Sequence, residues 1–355
     1  MTIIDDVRAR LERVRYPGFP RSIVSYGLVR DVVERGGRVT VTLTVPSRRA
    51  EVVSSLQSAI RAALAGTPTV SDVDVAVTGP SGGPTPARPS GTRQPLPGIH
   101  HIVAVASGKG GVGKSTVAVN FALALAARGL RVGLLDADVH GPSVPLMTGT
   151  ADARPRMLED KKIVPIERFG IALVSMGFFL DDRSPVIWRG PMVMSIVRQF
   201  LRDVLWGERD VLVIDLPPGT GDAQLTLLQE VPISGGVIVT TPQDVALQDV
   251  RRGISMFETV HAPVLGVVEN MSGYLCPHCG EHDPIFDIGG GKREAEATHV
   301  RLLGTIPLEG DLRSSMDLGI PLVVDRPDHP IARTFAEIAA AVAATLQDDP
   351  SQVAH

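Results

Sequence analysis

Ser107 to Thr116, SGKGGVGKST, gathers four glycines, two lysines and three hydroxyl side chains into ten consecutive residues. Such a mixture suits the cradling of phosphate groups, and Gly108 to Ser115 satisfies G-x-x-x-x-G-K-[ST]. Gly108, Gly110, Gly111 and Gly113 allow the backbone, Val112 included, to turn its N–H groups towards phosphate oxygens that a Cβ would crowd. Lys114 is expected on the β and γ phosphates, Ser115 on Mg²⁺ and Thr116 on a neighbouring phosphate of ATP. The alternative is a glycine-rich turn that binds nothing. Lysine is rare elsewhere, at positions 161, 162 and 292 only, and an ordinary phosphate loop does not require Lys109.

Cys276 and Cys279 are the chain's two cysteines, so no disulfide framework exists and metal binding or redox chemistry is expected of the pair. In Cys276-Pro277-His278-Cys279 one tight turn presents two thiolates. Both Zn²⁺ and a [4Fe-4S] cluster prefer four such ligands, so two chains related by a two-fold axis would complete the set. Zn²⁺ held within one subunit by Cys276, Cys279 and His282 is the competing arrangement, and a dithiol redox pair is a third. Gly289 to Gly291 read as an exposed, glycine-rich neighbourhood.

Two acidic segments follow apolar runs. In DADVHGPS, Asp136 to Ser143, one carboxylate is placed to orient an attacking water, unless Asp136 merely caps a helix. In DLPPGTGD, Asp215 to Asp222, Asp215 is placed to hold Mg²⁺ through water and Gly219 to bring its N–H to the γ phosphate, with Asp222 another candidate cap.

The elements that must position these residues follow from periodicity. Helical spacing over Ile3 to Val14 and Arg49 to Leu64, with alternation over Arg38 to Val45 and Val70 to Thr78, predicts a small α+β domain over 1–78. Residues 79–98 hold five Gly and six Pro and read as a linker. From 99 to 355, short continuous apolar strands alternate with helices: Ile102 to Ala106, Val132 to Leu135, Ile171 to Met176, Val211 to Ile214, Val237 to Thr240, Val264 to Val268 and Leu302 to Ile306. Helices are read at Pro191 to Leu205 and Leu247 to Val260. This rhythm predicts an α/β domain with a mostly parallel sheet flanked by helices and a site at the strands' C-terminal ends.

A chain of 355 residues, 44% apolar and 21% charged, is not disordered. No apolar run reaches the roughly 18 residues of a membrane span, and the N-terminus has no signal-like core, so a cytoplasmic protein without membrane attachment is expected. A net charge of −4 argues against nucleic-acid binding.

With its second lysine, the loop resembles that of the deviant Walker A P-loop ATPases, which include MinD, ParA, the nitrogenase iron protein and the Mrp-type Fe-S carriers. DADVHGPS, IWRGPM (Ile187 to Met192), WGERDVLVIDLPPGTGDAQLT, VENMSGYLCPHCG and IGGG narrow the resemblance to the Mrp, or ApbC-like, branch. The first domain is similar, through SIVSYGLV, to one fused ahead of such ATPases in Fe-S assembly proteins, although Tyr26 stands where an acidic residue is frequent. The resemblance implies that Lys109 acts in trans across a nucleotide-sandwich homodimer, Asp138 orients the water and Asp136 supports the metal site. It also implies that Asn270 meets the adenine and Pro307 walls the base. It favours a labile [4Fe-4S] cluster bridging two subunits, handed from cluster donors to apo Fe-S proteins with slow ATP hydrolysis. The rival is a MinD- or ParA-like positioning ATPase with a structural zinc. Against its membrane-cycling form, the stripe Ile331, Phe335, Ile338 and Val342 is expected to pack on the domain's own core.

Overall fold

The computed structural model describes residues 3–14, 22–24, 28–44, 50–65, 67, 70, 72–78, 93–139, 141–160, 162–179, 190–276, 278–287 and 289–347. Readings that rest on 79–92, on Tyr26, on Ile187 to Arg189, on Pro277 and on Ile288 lie outside the described residues. Two compact units form, Met1–Gly91 and Thr92–His355. Residues 93–98, read as linker, belong to the second unit, where Leu96 is buried.

The first unit holds α1 (Ile3–Leu11), β1 (Val29–Arg35), β2 (Arg38–Thr44), α2 (Ala50–Leu64) and β3 (Asp72–Thr78). β1 and β2 form an antiparallel hairpin whose Arg35↔Arg38 pair is closed by Gly36 and Gly37, both at positive φ as a tight two-residue turn requires. β3 returns parallel to β2 after the α2 crossover. Val39, Val41 and Leu43 alternate onto the helical side and are buried with Leu56, Ile60 and Leu64 of α2.

The second unit runs β4 (Ile99–Ala106), α3 (Lys114–Ala127), β5 (Val132–Asp136), α4 (Val144–Met147), β6 (Arg156–Met157), β7 (Ile163–Val164), β8 (Ile166–Arg168) and β9 (Ile171–Ser175). It continues with α5 (Gly190–Arg202), β10 (Arg209–Asp215), α6 (Asp222–Glu230), β11 (Gly235–Thr240), α7 (Asp244–Thr259), β12 (Val264–Leu275) and β13 (His282–Asp283). It closes with α8 (Gly290–Ala297), β14 (Leu302–Leu308), α9 (Gly310–Asp317), α10 (Leu322–Asp325) and α11 (Pro330–Gln347). The sheet order is β13-β12-β11-β4-β10-β5-β9-β8, with β14 parallel to β12, and β8 and β13 are its antiparallel members.

Both faces of this sheet are covered. Along β4, Val103 and Val105 join the core formed with α3 and α11, while Ile102, Ala104 and Ala106 join the core under α5, α6 and α7. The stripe Ile331, Phe335, Ile338 and Val342 of α11 is at most 2% exposed, spent on the domain's own interior as its spacing predicts. Among the described residues no helix is long and apolar enough to cross a membrane.

Register sets the site. β10 lies between β4 and β5, with Asp215 opposite both Val105 and Asp136, and Asp136 is in turn opposite Ser175 of β9. The chemistry-bearing strand ends thus emerge side by side at one edge of the sheet.

Candidate functional site

Lys109 to Thr116 wrap the N-terminus of α3 and, with Ser107, Asp138, Ser143, Met147 and Pro218, line a cavity of about 200 Å³. Gly111 (φ 81°) and Gly113 (φ 79°) hold left-handed conformations that turn the loop into the helix. At Gly113 a Cβ would overlap the Asn270 amide, and at Gly108 one would overlap the Asp249 side chain of α7. By contrast, a Cβ at Gly110 would meet only Pro218 at 3.9 Å. Gly108→Ala is therefore expected to destabilise the protein by about 1–3 kcal/mol and to weaken nucleotide binding. Gly110→Ala should leave the melting temperature nearly unchanged, and thermal melts of the two variants test the contrast.

Lys114 is buried and bonded to Asp215, with its Nζ 3.5 Å from Ser115 Oγ. Lys109 lacks the freedom expected of a residue with no duty in its own chain. Its ammonium donates to Gln243 Oε1 at 3.4 Å, and that oxygen also accepts from the Thr241 hydroxyl at 3.2 Å. Gly219 likewise differs from expectation: its N–H donates to the Ser107 carbonyl at 3.0 Å, so reaching a γ phosphate requires that bond to break.

Asp136 and Asp215 are both fully buried. Asp136 caps no helix. Its carboxylate accepts from the Ser175 hydroxyl at 2.7 Å and from the Asp138 N–H at 3.1 Å, which fixes the segment that carries Asp138. Asp222 is the first residue of α6, and the N-cap position is Gly221. Ser175 was not singled out from sequence, because its role depends on the β5–β9 pairing. Beside Pro217, the Gln224 amide N–H bonds that residue's carbonyl, a further contact sequence reasoning missed.

Burial first, and then the neighbouring Asp215 charge, pushes Asp136 up to about 7, against the donors Ser175 and Asp138 N–H. Burial likewise raises Asp215, opposed by Lys114 and the Ser115 hydroxyl. A carboxyl raised in the folded state keeps its proton where the unfolded chain has lost it. Its stabilising contribution is full below about pH 4 and is lost as pH rises through about 7. The nucleotide-free protein is thus expected to lose melting temperature progressively from about pH 4 to 7 and to level off above that, a trend that thermal melts across that range check.

Asp215 Oδ2 is buried without a hydrogen-bond partner while its sibling oxygen is bonded by Lys114. A divalent cation with its waters would supply what that oxygen lacks, and Ser115 is close enough to the same carboxyl to lower its pKa. The residues therefore fit Mg²⁺ at Ser115 and Asp215.

A second cavity of about 210 Å³ shares Gly113, Thr116 and Met147 with the phosphate cavity and brings in Asn270, Met271, Pro307, Glu309 and Arg313. The two cavities therefore adjoin around the phosphate loop. Asn270 is no turn amide: it lies within β12 and donates from Nδ2 to the Val112 carbonyl at 2.8 Å, tying that strand to the phosphate loop.

β12 runs on past Asn270 to Leu275, directly before Cys276. Cys276 N–H donates to the Glu281 carbonyl and Gly280 N–H to the Cys276 carbonyl, both at 2.9 Å, closing a small hairpin. The backbone N–H groups of Cys279 and His278 bond the Cys276 sulfur and hold its pKa below the usual thiol value. Such donors favour a thiolate ready to bind metal. Cys276 is half-buried and Cys279 exposed.

The one-subunit zinc arrangement is not formed. The His282 ring lies against Gly273, and among the described residues the only trio of potential ligands within reach of one ion is Glu309, Asp311 and His329. Gly290 and Gly291 are also not exposed as expected. Both are buried at the start of α8, where Gly291 N–H bonds Glu269 and Gly290 packs on the Pro242 carbonyl.

Residues 98–343 match the family model of the NUBPL iron-transfer P-loop NTPases, and residues 4–77 match that of an iron-sulfur cluster assembly protein domain. An iron-sulfur cluster carrier protein of Haemophilus influenzae is 41% identical over 342 residues, covering 96% of this chain and 92% of that one. Among solved structures, a nucleotide-binding protein from Archaeoglobus fulgidus in complex with ADP superposes with a TM-score of 0.59 at 39% identity, over 67% of this chain and 92% of its own. The cell division ATPase MinD of Pyrococcus furiosus, at 23% identity, has a TM-score of 0.53 over 69% of this chain and 98% of its own, a likeness of fold.

Proposed function

Because the chain belongs to the NUBPL iron-transfer P-loop NTPase family, we propose that it is an ATP-hydrolysing carrier of a [4Fe-4S] cluster. The cluster bridges two copies of the chain and passes from cluster donors to apo Fe-S proteins. One observation carries the reading: a hairpin with sulfur-directed N–H groups presents two thiols at the end of the strand that also lines the nucleotide cavity. Two ligands are half of what such a cluster takes, and a second copy supplies the rest.

The chemistry at the phosphate end is phosphoryl transfer to water, which needs positioning and charge stabilisation rather than a covalent nucleophile. Gly108 to Thr116 hold the phosphates. Lys114 neutralises charge on the β and γ oxygens, and Asp138, steadied through Asp136, orients the water. Ser115 and Asp215 would hold Mg²⁺, which when bound would further neutralise the phosphate oxygens. Lys109 reaches the partner's nucleotide once it leaves Gln243, so each site is completed by the other copy. Pro307 and Asn270 bound the base. The unit over 1–78 serves partner contact ahead of the 99–355 ATPase, and the protein works in the cytoplasm.

The test is the iron and sulfide content, visible spectrum and molar mass of protein purified and reconstituted without oxygen. About four irons and four sulfides per dimer are expected. A strictly monomeric iron-loaded species, or zinc alone in the anaerobic protein, overturns the proposal.

A further inference from the structure

Five described non-glycine residues have left-handed backbones: Phe169, His261, Met271, Asp287 and His299. Phe169 sits with Gly170 in the β8–β9 turn, His261 and His299 lie just past the ends of α7 and α8, and Asp287 lies in the connection before α8. Each of those is a place where chain reversal calls for positive φ. Met271, at φ 56°, lies inside a strand.

The pairing of β12 with β14 breaks at this point, its register shifting between Asn270 and Tyr274. Such a bulge re-aims the residues C-terminal to it. On that side stands Gly273 (φ 115°), where a Cβ would overlap the His282 ring, then Tyr274 and Leu275 paired with Asp283 and His282, then Cys276. On the N-terminal side is Asn270, bonded to the phosphate loop. Met271 also lines the second cavity, and its terminal methyl lies 3.7 Å from where a Gly113 Cβ would stand. One residue therefore combines a contact surface for the nucleotide with the irregular backbone that aims the cysteine hairpin.

We propose that Met271 is a positioning residue that reports occupancy of the nucleotide cavity to Cys276 and Cys279 through the β12 bulge. The inference rests on the carrier reading only for its purpose. The bulge is a discrete irregularity with two cavity-facing neighbours, so a base pressing on the Met271 side chain rotates the strand beyond it and shifts the hairpin. Coupling of this kind is reciprocal: a filled cysteine pair alters nucleotide affinity by the same factor.

The experiment uses the full chain, metal-free and reduced, alkylated with iodoacetamide with and without saturating Mg-ADP, each cysteine being followed by mass spectrometry. Saturation is confirmed in every variant with a fluorescent ADP. In the wild type the Cys276 rate is expected to change by roughly 3–10-fold on nucleotide binding. Met271→Asn keeps a residue tolerant of left-handed φ but withdraws the thioether, and its ratio should fall to about one at saturation. Gly273→Ala, clear of the cavity, should bind ADP within about twofold of wild type yet lose the ratio, because the hairpin's seat on His282 is displaced. A wild-type ratio of one, or an unchanged ratio in the saturated Met271→Asn protein, overturns the proposal. No cluster is needed for this measurement. Failure to load iron would defeat the carrier reading with the ratio intact, and a ratio of one in a protein that loads iron would defeat the relay alone.

Discussion

Lys114→Ala is expected to lower ATP turnover by about a thousandfold or more and to weaken Mg-ATP binding, since the cation that faces the developing phosphate charge is gone. The same change acts on the fold. Lys114 is 6% exposed and bonded to a fully buried Asp215, whose register neighbour is the equally buried Asp136. Without the ammonium, two adjacent buried carboxyls lose the positive charge that offsets their burial, a defect worth about 3–5 kcal/mol. Both carboxyls would move further up, and the loss of stability would be greatest above neutral pH, where they must ionise. Phosphate release should therefore be measured below the melting transition, with circular dichroism confirming the folded fraction. A folded Lys114→Ala protein that hydrolyses ATP at the wild-type rate removes the assignment of the loop.

The second large effect is expected at the hairpin. Cys276→Ser and Cys279→Ser should each take reconstituted iron from about four per dimer to below about one and abolish the visible charge-transfer band. Cys276→Ser removes the sulfur on which the N–H groups of Cys279 and His278 converge. Cys279→Ser removes the exposed thiol of the pair. Neither lines the phosphate cavity, so both variants should keep measurable ATP hydrolysis. Full iron retention in either single variant would end the picture of paired thiolates.

Much of this was legible in the residues themselves. The phosphate loop is local: glycine spacing, a preceding apolar strand and a following helix specify it without tertiary information. The parallel sheet was equally plain, because continuous runs such as Val103 to Ala106 and Val211 to Ile214 lack the alternation of a half-exposed strand. β1 was missed because VRDVVER is broken by charge, although the Gly36-Gly37 turn marked a hairpin. Ser175, Gln224, Gln243 and Asp249 were missed for a different reason. Ser175, Gln243 and Asp249 meet residues distant in the chain, which only strand order brings together, and Gln224 reaches back seven residues to a carbonyl whose direction the loop sets. The apolar pattern ends β12 at Val268, since Glu269, Asn270 and Ser272 hide the continuation of the strand. Glu269 and Asn270 are polar because they bond backbone of the α8 start and of the phosphate loop, so the site itself obscured the element that carries it.

Glu269 and Gly291 have one more implication. Glu269 lies in β12 just before Asn270, and its carboxylate secures the N–H of Gly291 at the start of α8. The chain beyond Glu269 thus runs out along β12, turns back through β13 and returns beside Glu269 at Gly291, like a handle riveted at both ends to one plate. A closed handle transmits little of its own length to the plate, since the entropy of closing it grows only slowly with added residues. The thiol-bearing excursion is therefore a replaceable attachment, and a nucleotide-binding plate of this build could carry a different tool in the same mounting.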